Sequence, residues 1–283
     1  MNILANSSVV GIAAAFATLV VISAGVDLTP VAVMTVVGIV ALHALDSGLS
    51  VALTVIICLG AAAALGVING LLIAFVDLNP FILTLGTNFV FTGAGYVVTS
   101  GQSQLLTGHA AQGFLSIGDS TVGPNVPISA LVMLAIFAIA FAILRFTRFG
   151  THVFAVGGDE AAARLNGVRV RRAKILIYAL AAVAAGVAGV VLAAQSGSVA
   201  PYAATSQTNL LLIIAAVIVG GTALTGGRGS VVGTLVGVLL LGVIQDGLVL
   251  LNIASFWQPV VTGVVLIAAL TLDKLQVAVR VEA

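Results

Sequence analysis

Lysine and arginine are missing from the first 144 residues of this chain, and charged residues make up only 7% of the whole. An average soluble domain carries about 25% charged residues, so this composition excludes an ordinary water-soluble fold. Hydrophobic residues occupy 61% of the 283 positions, more apolar surface than a soluble core could bury. The chain is therefore predicted to be an all-α protein that crosses a membrane many times.

Motifs for several kinds of chemistry are also missing. A single cysteine, Cys58, excludes a disulfide within the chain, and no GxxxxGK[ST] segment is present to bind ATP. The histidines His43, His109 and His152 are scattered, so neither a metal site nor a catalytic nucleophile–base pair is predicted. No stripe of basic residues could follow a phosphate backbone, which excludes nucleic-acid binding. We expect a protein that is not an enzyme and holds no cofactor or metal of its own.

Long apolar runs fill most of the sequence. A helix needs about 20 mainly apolar residues to cross a bilayer. By that measure about nine spans are predicted, near residues 6–26, 28–45, 50–75, 80–99, 128–146, 174–195, 207–222, 230–251 and 256–272. The second and seventh are short and could be broken or re-entrant. Together they are assigned to one transmembrane domain, residues 1–283.

The few basic residues predict how the chain is oriented. Seven of the ten lie between residues 145 and 174. Loops rich in lysine and arginine resist translocation and stay in the cytoplasm. With this loop inside, residues 100–127 and 196–206 lie outside. The C-terminal tail, with Lys274 and Arg280, then lies inside, and every basic residue falls on the cytoplasmic side.

The loop at 147–173 contains a predicted helix of two turns. Asp159 is a suitable N-cap. Glu160 and Arg164 have the spacing of a favourable helical ion pair. Gly167 supplies a stop at the C-terminus, where a left-handed residue is common.

Local sequence also limits what this short helix can pack against. Gly157 and Gly158 are expected to break any helix that enters from the preceding span. Ala161, Leu165 and Val168 form a small apolar stripe. Because so short a helix is unstable alone in water, it needs a supporting surface. Two surfaces remain open at this point: a protein partner, or lipid headgroups held by the nearby arginines.

Six segments form an ordered pattern along the chain. They are SAGVDLT at 23–29, INGLLIAF at 68–75, NPFILTLGT at 79–87, GTHVFAVGGDEAAARLNGVRVRRAKILIYALAAVAAGVAGVVLAAQ at 150–195, the glycine-rich stretch at 215–244, and FWQPVVTGVVLIAAL at 256–270. This set resembles the membrane permeases of ABC importers of the ribose, xylose and galactose class. The similarity covers nearly the whole chain, and the ordered set is far more specific than any one segment.

The resemblance implies a permease subunit of an ATP-driven importer that moves a monosaccharide or similar polar solute across a bacterial inner membrane. It implies a separate cytoplasmic ATPase that binds ATP and Mg, an external solute-binding protein, and a second permease subunit forming a homodimer. It also implies that residues 159–167 are the coupling helix, seated in a cleft of the ATPase. The coupling residues expected on this basis are Gly158, Asp159, Glu160, Ala161, Ala162, Arg164, Leu165 and Gly167.

The sequence departs from the family pattern in two places. Family members usually have ten spans and a basic N-terminal tail, and both termini in the cytoplasm. This chain starts close to the second span of that pattern, which leaves two alternatives: the chain is shortened, or its true start lies upstream. Near the end of the eighth predicted span, relatives often have two amides where this chain has Gln245 and Asp246.

Polar residues inside the spans are candidates for the solute path, since hydroxyl and amide groups suit a hydroxylated solute. Thr84 and Asn88 share a helix face by their spacing of four. Hydrogen bonding between helices is the alternative role for such side chains. Asp27, at a span junction, is expected to be solvated. The candidate path residues are Asn69, Thr84, Thr87, Asn88 and Asp246, the last of which lies near the outer interface.

Two other kinds of transporter are alternatives. Related permeases carry branched-chain amino acids or nucleosides, and the sequence does not identify the solute, because specificity in such importers lies largely in the external binding protein. An ion-coupled secondary transporter would show paired charges near the bilayer midplane and often an inverted repeat. Neither feature is evident in the sequence, so an ATP-driven importer is the preferred hypothesis.

Overall fold

A computed structural model describes residues 2–107, 109–122, 126–200 and 205–254, with single positions and short pieces between 257 and 271. The helices are α1 (Asn2–Ile22), α2 (Pro30–Asp46), α3 (Val51–Phe75), α4 (Pro80–Thr99), α5 (His109–Asp119), α6 (Ile128–Phe146), α7 (Arg148–Gly158), α8 (Glu160–Leu165), α9 (Val170–Ser196), α10 (Thr205–Val219) and α11 (Val231–Leu250). Four strands of two residues each are β1 (Gln104–Leu105), β2 (Thr121–Val122), β3 (Val126–Pro127) and β4 (Ser198–Val199).

Eight of the predicted spans coincide with helices of the described chain. Six helices (α1, α3, α4, α6, α9 and α11) are long and apolar enough to cross a membrane. The second and seventh predicted spans correspond to α2 and α10, which are shorter apolar helices. The ninth, at 256–272, is described only at single positions and in short pieces, so it is not compared with a whole helix. The all-α, many-span prediction is confirmed, and the number of spans stays a prediction.

Helices α1 and α9 form the buried centre of the bundle, whereas α3, α4, α6 and α11 leave large apolar side chains exposed on their outer faces. Small residues make the central contacts close. A Cβ at Gly186 would lie 2.6 Å from Cβ of Ala62, and one at Gly189 would lie 2.8 Å from Cα of Met34. Glycines therefore let α9 approach α2 and α3 at backbone distance, as small residues do in membrane helix pairs.

The bundle has two chemically different ends. Helix α9, 27 residues or about 40 Å long, begins within the basic cluster and ends beside β4. There Gln104 pairs with Val199, so segments 100–107 and 196–200 meet. We call the end with residues 145–174 the basic end and the other the opposite end. The two loops predicted to lie outside are thus on one side, away from the basic cluster.

The connection between α1 and α2 is buried within the bundle. Helix α1 ends at Ile22, earlier than the predicted limit of 26, because Ala24 turns left-handed (φ 59°) and Gly25 N–H donates back to Val20 O at 2.9 Å. Helix α2 then starts at Pro30, beside Asn69 of α3. Asn69 lies six residues before the end of α3, about 9 Å inside it. The short second span is therefore short because it begins below the surface of the basic end.

Candidate coupling surface and solute path

The short helix α8 forms with the local interactions that the sequence predicts. The Asp159 carboxylate accepts a hydrogen bond from Ala162 N–H at 2.9 Å and caps the N-terminus. Arg164 lies 2.5 Å from Glu160 as an ion pair one turn apart. Gly167 follows the helix with φ +81°, a left-handed conformation that favours glycine. All three local predictions are confirmed.

A second cation ties α8 to the first turns of α9. Lys174 Nζ lies 2.7 Å from Oε2 of Glu160, so this carboxylate contacts two cations. Burial raises the pKa of Glu160, but hydrogen bonds and charges from Lys174 and Arg164 outweigh it and hold the pKa below its ordinary 4.5. The side chain is about one-third exposed, so solvent screens the pair. The contact with Lys174 joins two helices and was missed from the sequence.

One face of α8 is buried and the other is open. Ala163, only 4% exposed, packs in a small cluster with Val156, Val170 and Ala173. Leu165 is 90% exposed. Of the eight predicted coupling residues, all except the half-buried Glu160 are exposed. The helix is thus held to α7 and α9 by its inner face and presents its outer face to a potential partner.

The segment before α8 is itself a helix, which was not predicted from the sequence. Helix α7 begins at Arg148, where the Thr147 hydroxyl accepts from Gly150 N–H at 3.2 Å. Its inner face buries Val153 and Val156. It ends at Gly158, so the expected break at the glycine pair does occur. The predicted loop therefore contains two helices, α7 and α8, joined by a single residue, Asp159, and its last four residues already belong to α9.

The end of α7 lies against the end of α1. Gly157 is so close to Ile22 O that an added Cβ would overlap it, whereas Gly158 faces open space. The loop at 220–229 completes this contact: Gly227 N–H donates to Ile22 O at 2.8 Å. Two segments of the basic end therefore hold the point where α1 stops.

Residues 23–29, which we call the buried junction, are hydrogen-bonded to α3, α4 and α9. The Asp27 carboxylate accepts from Thr29 N–H at 2.8 Å and from the Thr29 hydroxyl at 2.6 Å. The Asn69 amide of α3 donates to the Thr29 hydroxyl at 3.3 Å. The Tyr178 hydroxyl of α9 donates to Val26 O at 3.1 Å. Asp27 is 9% exposed, so the expectation that it would be solvated is wrong.

Burial of this carboxylate has a local physical reason. The side chain folds back on the second residue ahead, a turn that aspartate forms readily and that satisfies a backbone N–H before Pro30 starts α2. The Asp-x-Thr-Pro order carries that signal in the sequence, but hydropathy alone assigned the residue to a surface loop. Asn69 Oδ1 is buried here and makes no hydrogen bond within the described structure.

The predicted path residues lie in two places. Asn69 and Thr84 are buried near the junction, and the Thr84 hydroxyl donates to Pro80 O at 2.8 Å and reaches Val26 O at 3.4 Å. Thr87 and Asn88 follow on α4, half-buried, with Asn88 accepting from the Thr92 hydroxyl. Asp246 lies toward the opposite end, where it accepts from Asn6 of α1 at 3.2 Å. Helix packing thus separates Asp246 from the other four.

A cavity that the sequence did not indicate lies between α2, α9 and the start of α10. It encloses about 220 Å³, and its wall combines apolar side chains with the polar side chains of Thr35, Ser196, Ser198 and Asn209. These four residues come from three distant segments, since only Ser196 and Ser198 are close in sequence, so no local pattern could group them. Hydroxyl and amide groups in an apolar wall suit a small polar solute.

Comparison with known proteins extends these observations. The family model described as "Branched-chain amino acid transport system / permease component" matches residues 1–270. The ribose import permease protein of Bacillus subtilis is 38% identical over 275 residues, covering 97% of this chain and 84% of its own length. That of Escherichia coli is 36% identical, covering 96% and 84%. The galactose/methyl galactoside import permease protein of Escherichia coli is 33% identical, covering 98% and 86%. No solved structure matches.

The family match includes all the helices described above, and the relatives are aligned over most of their own length. Such permeases are transport components rather than enzymes, and they work with a separate ATPase and a solute-binding protein. Six long apolar helices agree with a multi-pass protein of the inner membrane. This chain belongs to the family of ABC importer permease components.

Proposed function

We propose that this permease carries a monosaccharide or a similar polar solute into the cell. The observation that supports the solute class is the set of relatives, whose names specify ribose and galactose import and which align with 96% or more of the chain. The cavity lined by Thr35, Ser196 and Asn209 is compatible with hydroxylated ligands. Transport of branched-chain amino acids or nucleosides is the less favoured alternative, supported only by the name of the family model.

Uptake by the complete transporter tests this proposal. Cells or liposomes containing the permease, its ATPase and its binding protein are given radiolabelled ribose, xylose, galactose, leucine or uridine. We expect ATP-dependent uptake of at least one sugar and none of leucine or uridine. Uptake of leucine or uridine alone would assign the permease to the alternative solute class. A transporter that ran on an ion gradient without ATP would contradict the importer mechanism itself.

We also propose that the open face of α8 contacts the ATPase, which binds ATP and Mg, so that this chain needs no cofactor. The proposed contact consists of the exposed residues from Gly158 to Gly167, with Leu165 as the apolar side chain that a cleft would cover. Support comes from the way α8 is fixed from behind, by Ala163 and by the Glu160–Lys174 pair. A helix that is packed against the spans can transmit a movement of the ATPase to them, whereas a helix that only lies on lipid cannot.

The same contacts suggest how movement at α8 could reach the spans. Helix α7 is joined to α8 by Asp159 alone, and it lies against the end of α1 through Gly157. The buried junction follows directly and is hydrogen-bonded to α3, α4 and α9. We propose that this chain of contacts carries closure of the ATPase to the helices that line the solute path. The chain of contacts ends near four of the predicted path residues. We propose that these line the solute path: Asn69, Thr84, Thr87 and Asn88.

Three further features complete the proposal. The basic end faces the cytoplasm, as does the C-terminus, which follows from the retention of basic loops. Asp246, hydrogen-bonded to Asn6 near the opposite end, contributes to the outer limit of the path.

Two identical permeases form the transporter, because a path along a shared axis is easier to build than one through a single bundle. Chemical crosslinking of the assembled transporter should yield a permease dimer, and a single permease per assembly would contradict this.

A further inference from the structure

A crevice of about 340 Å³ opens at the basic end between α7 and the first turns of α9. Its wall includes Phe149 and His152 from α7 and Arg169, Arg172 and Leu176 from the α9 side. Spacings of three and four place the last three on one helix face and the first two on another. Two helices thus contribute cationic and apolar groups to one recess.

The positive charge of this crevice is not neutralised within the described chain. The nearest acid in sequence, Glu160, is already paired with Arg164 and Lys174. Arg171, between the two crevice arginines, lies over the ring of Phe75 at 5.1 Å. Arg169 and Arg172 take part in no ion pair among the residues that the structure describes. A recess with two free guanidinium groups favours an anionic ligand.

The depth and the apolar wall indicate what kind of anion fits. Arg172 lies in the first turn of α9, and Leu176 lies one turn, about 6 Å, further into the span. Leu176 is 50% exposed, and its helix continues into an apolar run long enough to cross the membrane. The order from the end inward is therefore arginine, then aliphatic side chain. A phospholipid has the same order, phosphate and then acyl chain.

We propose that this crevice binds one anionic glycerophospholipid, with its phosphate on Arg169 and Arg172 and an acyl chain along Leu176 and Phe149. Guanidinium groups can hold phosphate oxygens through paired hydrogen bonds, and basic recesses at the cytoplasmic side of spans suit lipid headgroups. A lipid held there would contact α7 and α9 together. The site does not depend on which solute is transported.

Lipid retention by the assembled transporter tests the site. The permease–ATPase complex is transferred into nanodiscs with equal amounts of phosphatidylglycerol and phosphatidylcholine, released, and its bound lipids are counted by native mass spectrometry. We expect selective retention of phosphatidylglycerol, weakened roughly 30-fold in the Arg169→Gln/Arg172→Gln variant if each basic residue contributes its usual surface attraction. The Arg145→Gln/Arg148→Gln variant removes the same charge outside the crevice and should retain the lipid.

Each other result would overturn the proposal in a defined way. Equal retention of the two lipids, or unchanged retention in the crevice variant, excludes the site. Loss of the ATPase with unchanged lipid assigns the arginines to the ATPase contact instead. Displacement by equimolar glycerol 3-phosphate assigns the crevice to a soluble phosphate. If the crevice variant does not assemble, Leu176→Asn decides alone, since it should reduce retention only where an acyl chain lies on Leu176.

Discussion

Gly157 and Gly158 are adjacent at the end of α7 but have different surroundings, so substituting each in turn tests the contact between α7 and α1. A Cβ on Gly157 would overlap Ile22 O, whereas a Cβ on Gly158 would meet nothing within 4 Å. We expect Gly157→Ala to force α7 away from α1 and to cost about 1–3 kcal/mol of stability. Thermal unfolding in detergent measures this, with Gly158→Ala as the matched control. Equal midpoints for the two variants would contradict the contact.

Glu160 gives a prediction that depends on pH. Its pKa is lowered in the folded protein, so its ion pairs stabilise the protein above pH 4.5 and are lost as the pH falls through the lowered pKa. We expect Glu160→Gln to be less stable than the unmodified protein at pH 7, by at most about 1 kcal/mol because the pair is partly exposed. The difference should vanish in acid.

Melting curves between pH 7 and pH 3.5 would measure that convergence. Asp46→Asn is the control, because Asp46 is an exposed carboxylate at the opposite end of the bundle and is not among the residues that form described ion pairs. If the melting temperatures of Glu160→Gln and the unmodified protein differed by the same amount across this range, the side chain would act by packing rather than by charge.

Helix α8 acts as a single element because its ends are fixed, so a change at its terminus should affect coupling. Gly167 has φ +81° and open space around it, so a valine there would strain the backbone without a steric clash. The strain would be about 1–3 kcal/mol locally. We expect Gly167→Val to insert normally but to lose transport and the response of ATP hydrolysis to loaded binding protein.

Gly48 offers a matched control for that experiment. It has φ +77°, also with no atom within 4 Å of a built Cβ, but it follows α2 at the opposite end. Gly48→Val should therefore carry similar strain and keep coupling. Uptake, ATPase rate and subunit retention in liposomes separate the outcomes. Normal transport by Gly167→Val would indicate that α8 is only a surface helix.

Comparison of elements shows which features the sequence could predict. The bounds of α4 and α6 agree with the prediction because an apolar run, a flanking proline or a polar loop marks each end. Capping at Asp159 was equally readable, since it needs only residues three apart. Helix α7 was missed because its periodic apolar face is short and glycines interrupt it. The buried junction was missed because hydropathy reads residues 23–29 as the end of one span and the start of the next.

The junction yields a prediction of its own. Thr29→Val would remove the hydroxyl that donates to the Asp27 carboxylate and accepts from the Asn69 amide, leaving buried polar groups unpaired. Such a loss costs about 1–3 kcal/mol. We expect lower thermal stability and reduced uptake with ATP hydrolysis still present. Thr99→Val, which removes an equally buried hydroxyl bonded within its own helix at Gly95 O, should retain uptake. Equal uptake in both variants would argue against a role of the junction in transmission.

At the scale of the whole molecule, pairing between distant segments could not be read from the sequence. Gln104 meets Val199 across 95 positions of chain, and neither segment is periodic or charged. Orientation was inferred instead from charge, which placed both segments on the same side of the membrane. The strand pairing and the distribution of basic residues, which are independent observations, therefore both place segments 100–107 and 196–200 on the same side. The cavity between α2, α9 and α10, by contrast, depends entirely on packing and has no counterpart in any linear pattern.

That agreement leads to a labelling experiment on the direction in which the chain crosses the membrane. Cys58 is fully buried and is first replaced by alanine. Single cysteines are then placed at positions 104, 200 and 161; position 161 is exposed on α8, whereas Ala163 is buried and could not be labelled from either side. In intact cells, impermeant maleimide should label 104 and 200, which lie together at the opposite end, and should not reach 161 on α8 until the membrane is opened. Because β1 and β4 are paired, labelling of only one of the first two would contradict the fold. Labelling of 161 in intact cells would reverse the orientation inferred from the basic residues, and with it the assignment of α8 to an ATPase that hydrolyses ATP in the cytoplasm.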